Sequence, residues 1–276
     1  MWQGHFDLED RNVVITGGAS GIGFALAKNL GARGCKILIA EPDEERLRNA
    51  IEALHEQDVA ATYAVCDVTQ LPQVEALSDR AWEELGRVDM VFNNACIGIG
   101  QKPIVDTPAE QLHAVFNVNF FGVWHGCSVF AKRLIDQGTP AGIYNTGSEN
   151  SVFNAVPNNA AYLASKHAVL GMTDNLREQM PDFIHVGLIL PGFVKSGLTE
   201  AVAHLAMDTD KFAAIVLQQI EDGQFYIVSH ASNLPHIEQR YAELKKAYET
   251  YAPHYEGDEE YDVRHLISQM QNRGAQ

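Results

Sequence analysis

Two tyrosine–lysine pairs at four-residue spacing, Tyr162/Lys166 and Tyr241/Lys245, are the residues of this sequence best suited to moving a proton. Both pairs place phenol and ammonium on one helical face. A phenol of ordinary pKa, about 10, is only about one-thousandth ionised at neutral pH, so an efficient base needs positive charge beside it. Spacing does not choose between the pairs, but context does. Tyr162 opens a helix that follows an apolar strand, at the edge of the sheet where α/β enzymes gather their chemistry. Tyr241 lies in a tail beyond the last predicted strand and reads as an exposed helix face. Upstream, Ile143-Tyr144-Asn145 runs into Thr146-Gly147-Ser148, which makes Ser148 the hydroxyl expected to hold a substrate oxygen near Tyr162. Ser151, three residues along the same loop, is the alternative.

A second constellation lies near the start. Thr16-Gly17-Gly18-Ala19-Ser20-Gly21-Ile22-Gly23 follows a strand and opens a helix. Glycines at 17, 21 and 23 allow a tight turn and close approach of a pyrophosphate, while the helix N-terminus supplies free N–H groups and partial positive charge. Gly17, Ser20, Gly21, Ile22 and Gly23 are therefore candidate dinucleotide contacts. The second strand ends at Glu41, eighteen residues past the last glycine, where an acidic residue meets the adenosine ribose. Its carboxylate accepts hydrogen bonds from ribose hydroxyls and repels a 2′-phosphate, and neither Ser20 nor Pro42 offers a compensating cation. The expected cofactor is NAD, not NADP. Lys166 and the positive nicotinamide ring would both favour the Tyr162 phenolate, and Lys166 can also bind the nicotinamide ribose. The third strand runs into Asp67 and Val68, placed to meet the adenine edge, although Asp67 could equally cap the next helix.

These residues need a scaffold, and the hydrophobic pattern supplies one. Apolar runs at Val13–Ile15, Ile37–Ile39, Tyr63–Val65, Met90–Phe92, Gly142–Asn145 and Val186–Leu190 alternate with helical stretches. The helices are expected over 24–33, 44–56, 71–85, two between 108 and 135, and 160–179. Continuous apolar strands separated by amphipathic helices predict an α/β, doubly wound parallel sheet of Rossmann type, in a single domain. A further helical stretch around 199–220 and a last strand at Phe225–Val228 complete a catalytic domain over 1–230. Residues 231–276 read as a C-terminal helical extension of the same domain. Its stripe of Ile237, Tyr241, Leu244 and Tyr248 is expected to be buried against the sheet edge, the site or a second subunit.

In this order the motifs resemble those of the short-chain dehydrogenase/reductase family, over about residues 8–228. Thr16–Gly23 matches its TGxxxGxG, Asn93-Asn94-Ala95 its NNAG, Asn119 its helix asparagine, Tyr162–Lys166 its YxxxK and Pro191-Gly192 its PG turn. The resemblance implies that Asn94, Ala95, Pro191, Gly192, Val194 and Ser196 line the cofactor. Ser196 stands where a threonine usually binds the carboxamide. Asn119 would hold a water that connects Lys166 to solvent. The sequence departs from the pattern at Cys96, which replaces the glycine of NNAG, and at Ser148, fourteen residues before Tyr162 and one more than the commonest spacing. The glycine-rich end of the last strand is also replaced. The implied reaction is hydride transfer between NAD and a secondary alcohol or ketone, with Ser148 and Tyr162 gripping the oxygen. A non-catalytic NAD-binding redox sensor would keep the glycines and Glu41 but has no use for Asn119, Ser148, Tyr162 and Lys166 together.

Composition narrows the partners. Twenty Lys and Arg against 36 Asp and Glu, a formal charge of −16, argue against nucleic acid and anionic membranes. Four well-separated cysteines and eleven histidines without an HxxxH pair suggest reduced thiols, no metal and a cytoplasmic location. The pocket segments contribute Ile97, Ile99, Val152, Phe153, Phe193, Leu198, Val202 and Leu205, which suit a neutral, fairly apolar alcohol. The extended tail resembles that of bacterial family members acting on aryl or benzylic alcohols, which implies a substrate of that type. A homodimer or homotetramer is expected.

Overall fold

A computed structural model describes residues 4–197, 199, 204–252 and 254–274. The chain divides into two compact units, Met1–Asn233 and Leu234–Gln276. The first holds strands β1 (Asn12–Thr16), β2 (Lys36–Glu41), β3 (Ala61–Val65), β4 (Met90–Asn93), β5 (Ala141–Thr146), β6 (Ile184–Leu190) and β7 (Tyr226–Val228). They form one sheet in the order β3-β2-β1-β4-β5-β6-β7, parallel throughout. Every position of β4, β5 and β6 is buried, as strands covered on both faces require. The two edge strands are less completely covered: β3 buries Ala61 and Ala64 and exposes Thr62 and Val65, and in β7 Ile227 faces the core while Tyr226 and Val228 are half exposed.

Helices α1 (Gly21–Gly31), α2 (Glu44–His55) and, later in the chain, Thr209–Glu221 share a core with one face of the sheet through Leu26, Leu30, Leu47, Leu54, Phe212 and Val216. The other face is covered by α3 (Leu71–Leu85), by Val123–Gln137 and by Ala160–Gln179. In chain order these are α4 (Ala109–Phe116), α5 (Val123–Gln137), α6 (Ala160–Gln179) and α7 (Thr209–Glu221). A π-helical turn, Asn117–Gly122, joins α4 to α5, so the two expected helices form one interrupted column. The strand order reverses direction between β1 and β4. Loops leaving the carboxyl ends of those strands diverge there and open a crevice.

The opposite, amino-terminal edge of the sheet carries a buried polar pair. The Tyr144 hydroxyl and His185 Nδ1 share a hydrogen bond of 3.1 Å, and the Gly223 backbone lies close to the same imidazole. Burial lowers the His185 pKa to about 4 and pushes the Tyr144 phenol well above its ordinary range. Because the unfolded histidine titrates near 6.5, the unfolded chain binds more protons between those values. Stability is then complete above about pH 6.5 and falls as pH drops towards 4. The expected loss from this residue is about 2–3 kcal/mol by pH 4. Urea unfolding at a series of pH values should show that slope, and His185→Gln should flatten it; an identical slope in the variant would refute the assignment.

The second unit contains α8 (Leu234–Tyr251) and α9 (Val263–Gly274). In the single chain, Tyr241, Leu244 and Tyr248 of the apolar stripe are 53–66 % exposed. Two helices of 18 and 12 residues are too small to enclose it by themselves. Among the described residues no helix is long and apolar enough to cross a membrane, and no cluster of His, Cys, Asp or Glu has the grouping of a metal site.

Candidate active site

The glycine-rich loop is held against the end of β4 by a threonine and an asparagine. Thr16 Oγ1 accepts the Asn94 and Ala95 N–H groups at 3.0 and 3.2 Å, and Asn94 Nδ2 donates to the Thr16 and Gly17 carbonyls. This brace leaves no room for side chains in the loop. A Cβ on Gly17, which has φ +64°, would stand 2.8 Å from Ala95 Cα, and one on Gly23 would stand 2.2 Å from the Gly17 oxygen. Ser20 precedes α1 with an extended backbone and makes no side-chain cap, so the first-turn N–H groups of Gly21, Ile22 and Gly23 are left to a ligand or solvent. That cradle fits a dinucleotide pyrophosphate.

Glu41 closes the same crevice from the end of β2. It is buried, receives the Ala19 N–H, and pairs with Arg46 Nη1 at 2.7 Å. Burial raises its pKa and the guanidinium pulls it back down. Arg46 Nη2 also donates to Ser20 Oγ at 3.0 Å. The expectation that no cation stands near the ribose position is therefore corrected: the cation comes from the first turn of α2, beyond the two neighbours considered. Further along, Asp67 Oδ1 accepts the Thr69 N–H at 2.9 Å, and Val68 is buried against Gly122.

At the other end of the crevice, α6 carries Tyr162 and Lys166 inward. Lys166 is fully buried, with Nζ donating to the Thr146 carbonyl at 2.8 Å and lying 5.6 Å from the Tyr162 ring centre. The Tyr162 ring is partly exposed, but its hydroxyl is enclosed, and burial pushes the phenol well above its ordinary value. Cys96 and Glu149 push it the same way, while a hydrogen bond from Ser148 favours phenolate. Cys96 Sγ is 4.0 Å from the hydroxyl, so the residue that replaces the usual glycine borders the proton-transfer position. Burial outweighs the lowering expected from Lys166 in the protein alone.

The two candidate serines separate cleanly. Ser148 faces Tyr162, whereas Ser151 is completely buried and donates to the Lys166 carbonyl at 2.8 Å while accepting the Ser148 N–H at 3.2 Å. Asn119 lies in the π-helical turn with its side chain committed: Oδ1 accepts the Ile97 N–H at 2.8 Å, and Nδ2 donates to the Ile97 carbonyl and Ser165 Oγ. Pro191 and Val194 are buried, and Ser196 lies 3.3 Å from a Cβ built on Gly21. Leu198 and Val202 lie outside the described residues.

Tyr241 and Lys245 belong to the C-terminal unit, and both are exposed. The sequence reading passed over Thr16 and Thr146 as braces, Arg46, and His230, whose ring lies with the Glu149 carboxylate against Gly192.

The family model described as short chain dehydrogenase matches residues 11–205. This chain belongs to that family. Among its relatives, 1-deoxy-11-beta-hydroxypentalenate dehydrogenase of Streptomyces avermitilis is 33 % identical over 233 residues, covering 81 % of this chain and 86 % of that protein. Levodione reductase of Leifsonia aquatica is 32 % identical over 221 residues, covering 79 % and 82 %. A short-chain dehydrogenase/reductase of Burkholderia phymatum, solved in complex with NAD, superposes with a TM-score of 0.82 at 29 % identity, covering 87 % of this chain and 96 % of that one. This short-chain dehydrogenase is thus an oxidoreductase that uses a nicotinamide cofactor, and its sheet and crevice are those of the family.

Proposed function

We propose that this short-chain dehydrogenase interconverts a secondary alcohol and its ketone, with NAD as cofactor. The observation that carries the reading is the convergence of Ser148, Tyr162 and Lys166 at the carboxyl end of β5, across the crevice from a glycine cradle and a buried Glu41. Bound in that crevice, NAD supplies the hydride acceptor for oxidation. Gly17, Ser20, Gly21, Ile22 and Gly23 seat the pyrophosphate, and Glu41 accepts from the ribose hydroxyls. Asp67 and Val68 meet the adenine, and Asn94, Ala95, Pro191, Gly192, Val194 and Ser196 line the remainder. Ser148 holds the substrate oxygen, Tyr162 takes its proton as general base, and Lys166 orients the nicotinamide ribose and belongs to the relay that carries that proton on to solvent. Because the Asn119 side chain is spent on Ile97 and Ser165, a relay water at this turn would be held by its main chain.

The substrate fits best as a neutral, largely apolar molecule. The segments expected to line the pocket carry Ile97, Val152, Phe153 and Phe193, and the Glu149 charge, which Tyr162 feels, disfavours an anionic group. The relatives' names, a hydroxypentalenate dehydrogenase and a levodione reductase, agree with alcohol and ketone chemistry. A reading as a silent NAD sensor leaves the buried Lys166–Thr146 contact and the Ser148–Tyr162 bond without a purpose. NADH formation followed over aryl, benzylic and aliphatic secondary alcohols should reveal turnover with at least one neutral member and none with its carboxylated analogue. Absence of turnover in both directions, with NAD bound, would favour the sensor.

A further inference from the structure

Arg46 occupies an unusual place for a cation. It is the third residue of α2, whose first turn is fixed by Asp43 accepting the Glu45 and Arg46 N–H groups at 3.0 and 3.1 Å. A positive side chain in a first turn opposes the helix dipole. Only two residues, Pro42 and Asp43, separate that turn from the end of β2, so the guanidinium reaches back over the crevice. There it bridges the two sides of the adenosine position: Glu41 Oε1 at 2.7 Å on the strand end and Ser20 Oγ at 3.0 Å on the glycine loop. The Arg46 side chain is half exposed, whereas the Glu41 side chain is 9 % exposed, so the guanidinium forms the solvent-side wall.

We infer that Arg46 is a cofactor-binding residue that contacts the 2′ position of the adenosine ribose and gives the enzyme a secondary capacity for NADP. This rests on the reading of Glu41 as the ribose acid. A lone buried carboxylate would repel a 2′-phosphate strongly, but the Glu41–Arg46 pair carries no net charge. With NAD, Arg46 holds Glu41 ionised and oriented towards the ribose hydroxyls. With NADP, the planar fork can leave Glu41 and take the phosphate through two parallel N–H···O bonds, a geometry that lysine could not match. The Ser20 hydroxyl, released from the same guanidinium, becomes a second phosphate partner.

The test is calorimetric titration of the full-length protein with NAD+ and with NADP+, together with unfolding midpoints for every variant. Wild type should bind NAD+ more tightly yet bind NADP+ measurably. Arg46→Ala should weaken NADP+ at least about tenfold more than NAD+, a difference of about 1.4 kcal/mol. Glu41→Gln should tighten NADP+ about tenfold or more, and adding Arg46→Ala should cancel that gain. Arg46→Gln serves as a second variant should alanine disturb α2. Equal effects of Arg46→Ala on both cofactors, or a Glu41→Gln gain that survives removal of Arg46, would overturn the inference. The NAD reading fails separately, if wild type prefers NADP+ or if Glu41→Gln leaves NAD+ affinity unchanged.

Discussion

Tyr162→Phe is expected to lower kcat by about 10²–10⁴ or more while leaving NAD affinity within a few-fold. The phenyl ring keeps the packing of the first turn of α6, and only the enclosed hydroxyl beside Ser148 and Cys96 is lost. Tyr241→Phe, made at an exposed position of α8, should leave turnover unchanged. The pH dependence should have a definite sign. Burial raises the phenol pKa, so the phenolate fraction grows with pH and alcohol oxidation should accelerate as the solution is made alkaline. Ketone reduction uses the protonated phenol, which the raised pKa preserves, so its rate should stay nearly level over the same range. Steady-state rates in both directions across pH test this directly, and an inactive Tyr241→Phe beside an active Tyr162→Phe would remove the site from α6 altogether.

The second large effect separates two serines three residues apart. Ser148→Ala should reduce kcat about 10–10²-fold, since it removes a hydrogen bond of about 1.5–3 kcal/mol to a group that becomes charged. It should cost the fold less, because Ser148 Oγ caps only a short 3₁₀ turn through the Asn150 N–H at 3.1 Å. Ser151→Ala should do the reverse. Its hydroxyl satisfies the Ser148 N–H and the Lys166 carbonyl in a fully buried position, so its loss strands two partners at about 1–3 kcal/mol. Paired measurements of kcat and of the urea midpoint distinguish the two, and a Ser151→Ala protein of normal stability with the larger kcat defect would reverse the roles.

The sheet was legible because continuous apolar runs bounded by turn residues have few other uses: each of the seven strands lies within two residues of its expected position. α6 matches its predicted span, and α3 likewise, since amphipathic periodicity and flanking breakers coincide there. The helix expected around 199–220 starts later, at Thr209, where Asp208 caps it by accepting the Asp210 and Lys211 N–H groups. The π-helical turn at Asn119 has no local signature, because the extra residue per turn is decided by what the side chain reaches: Ile97 and Ser165, both distant in sequence. Arg46 was missed for a related reason. A search for charges beside Glu41 along the chain stops at Pro42, whereas a two-residue loop and one helical turn fold position 46 back onto it. The apolar stripe of α8 was correctly read as amphipathic, but periodicity says which face is apolar and nothing about what covers it.

The parallel sheet also sets how the chain must assemble. No two neighbouring strands are joined by a hairpin, and the central pairing of β1 with β4 matches Val13 to Met90, 77 residues apart. At a synthesis rate of about 5–20 residues per second, β1 waits some 4–15 s for its partner to be made, and longer for it to clear the ribosome. Until then its Val13-Val14-Ile15 run has β2 on one side and an open edge on the other, a surface suited to wrong pairing. Folding of such a topology is slow because loop closure precedes the contacts that reward it. The switch point that creates the cofactor crevice is therefore also the last long-range seam to close in the amino-terminal half of the chain, where a chaperone would find its longest opportunity to bind.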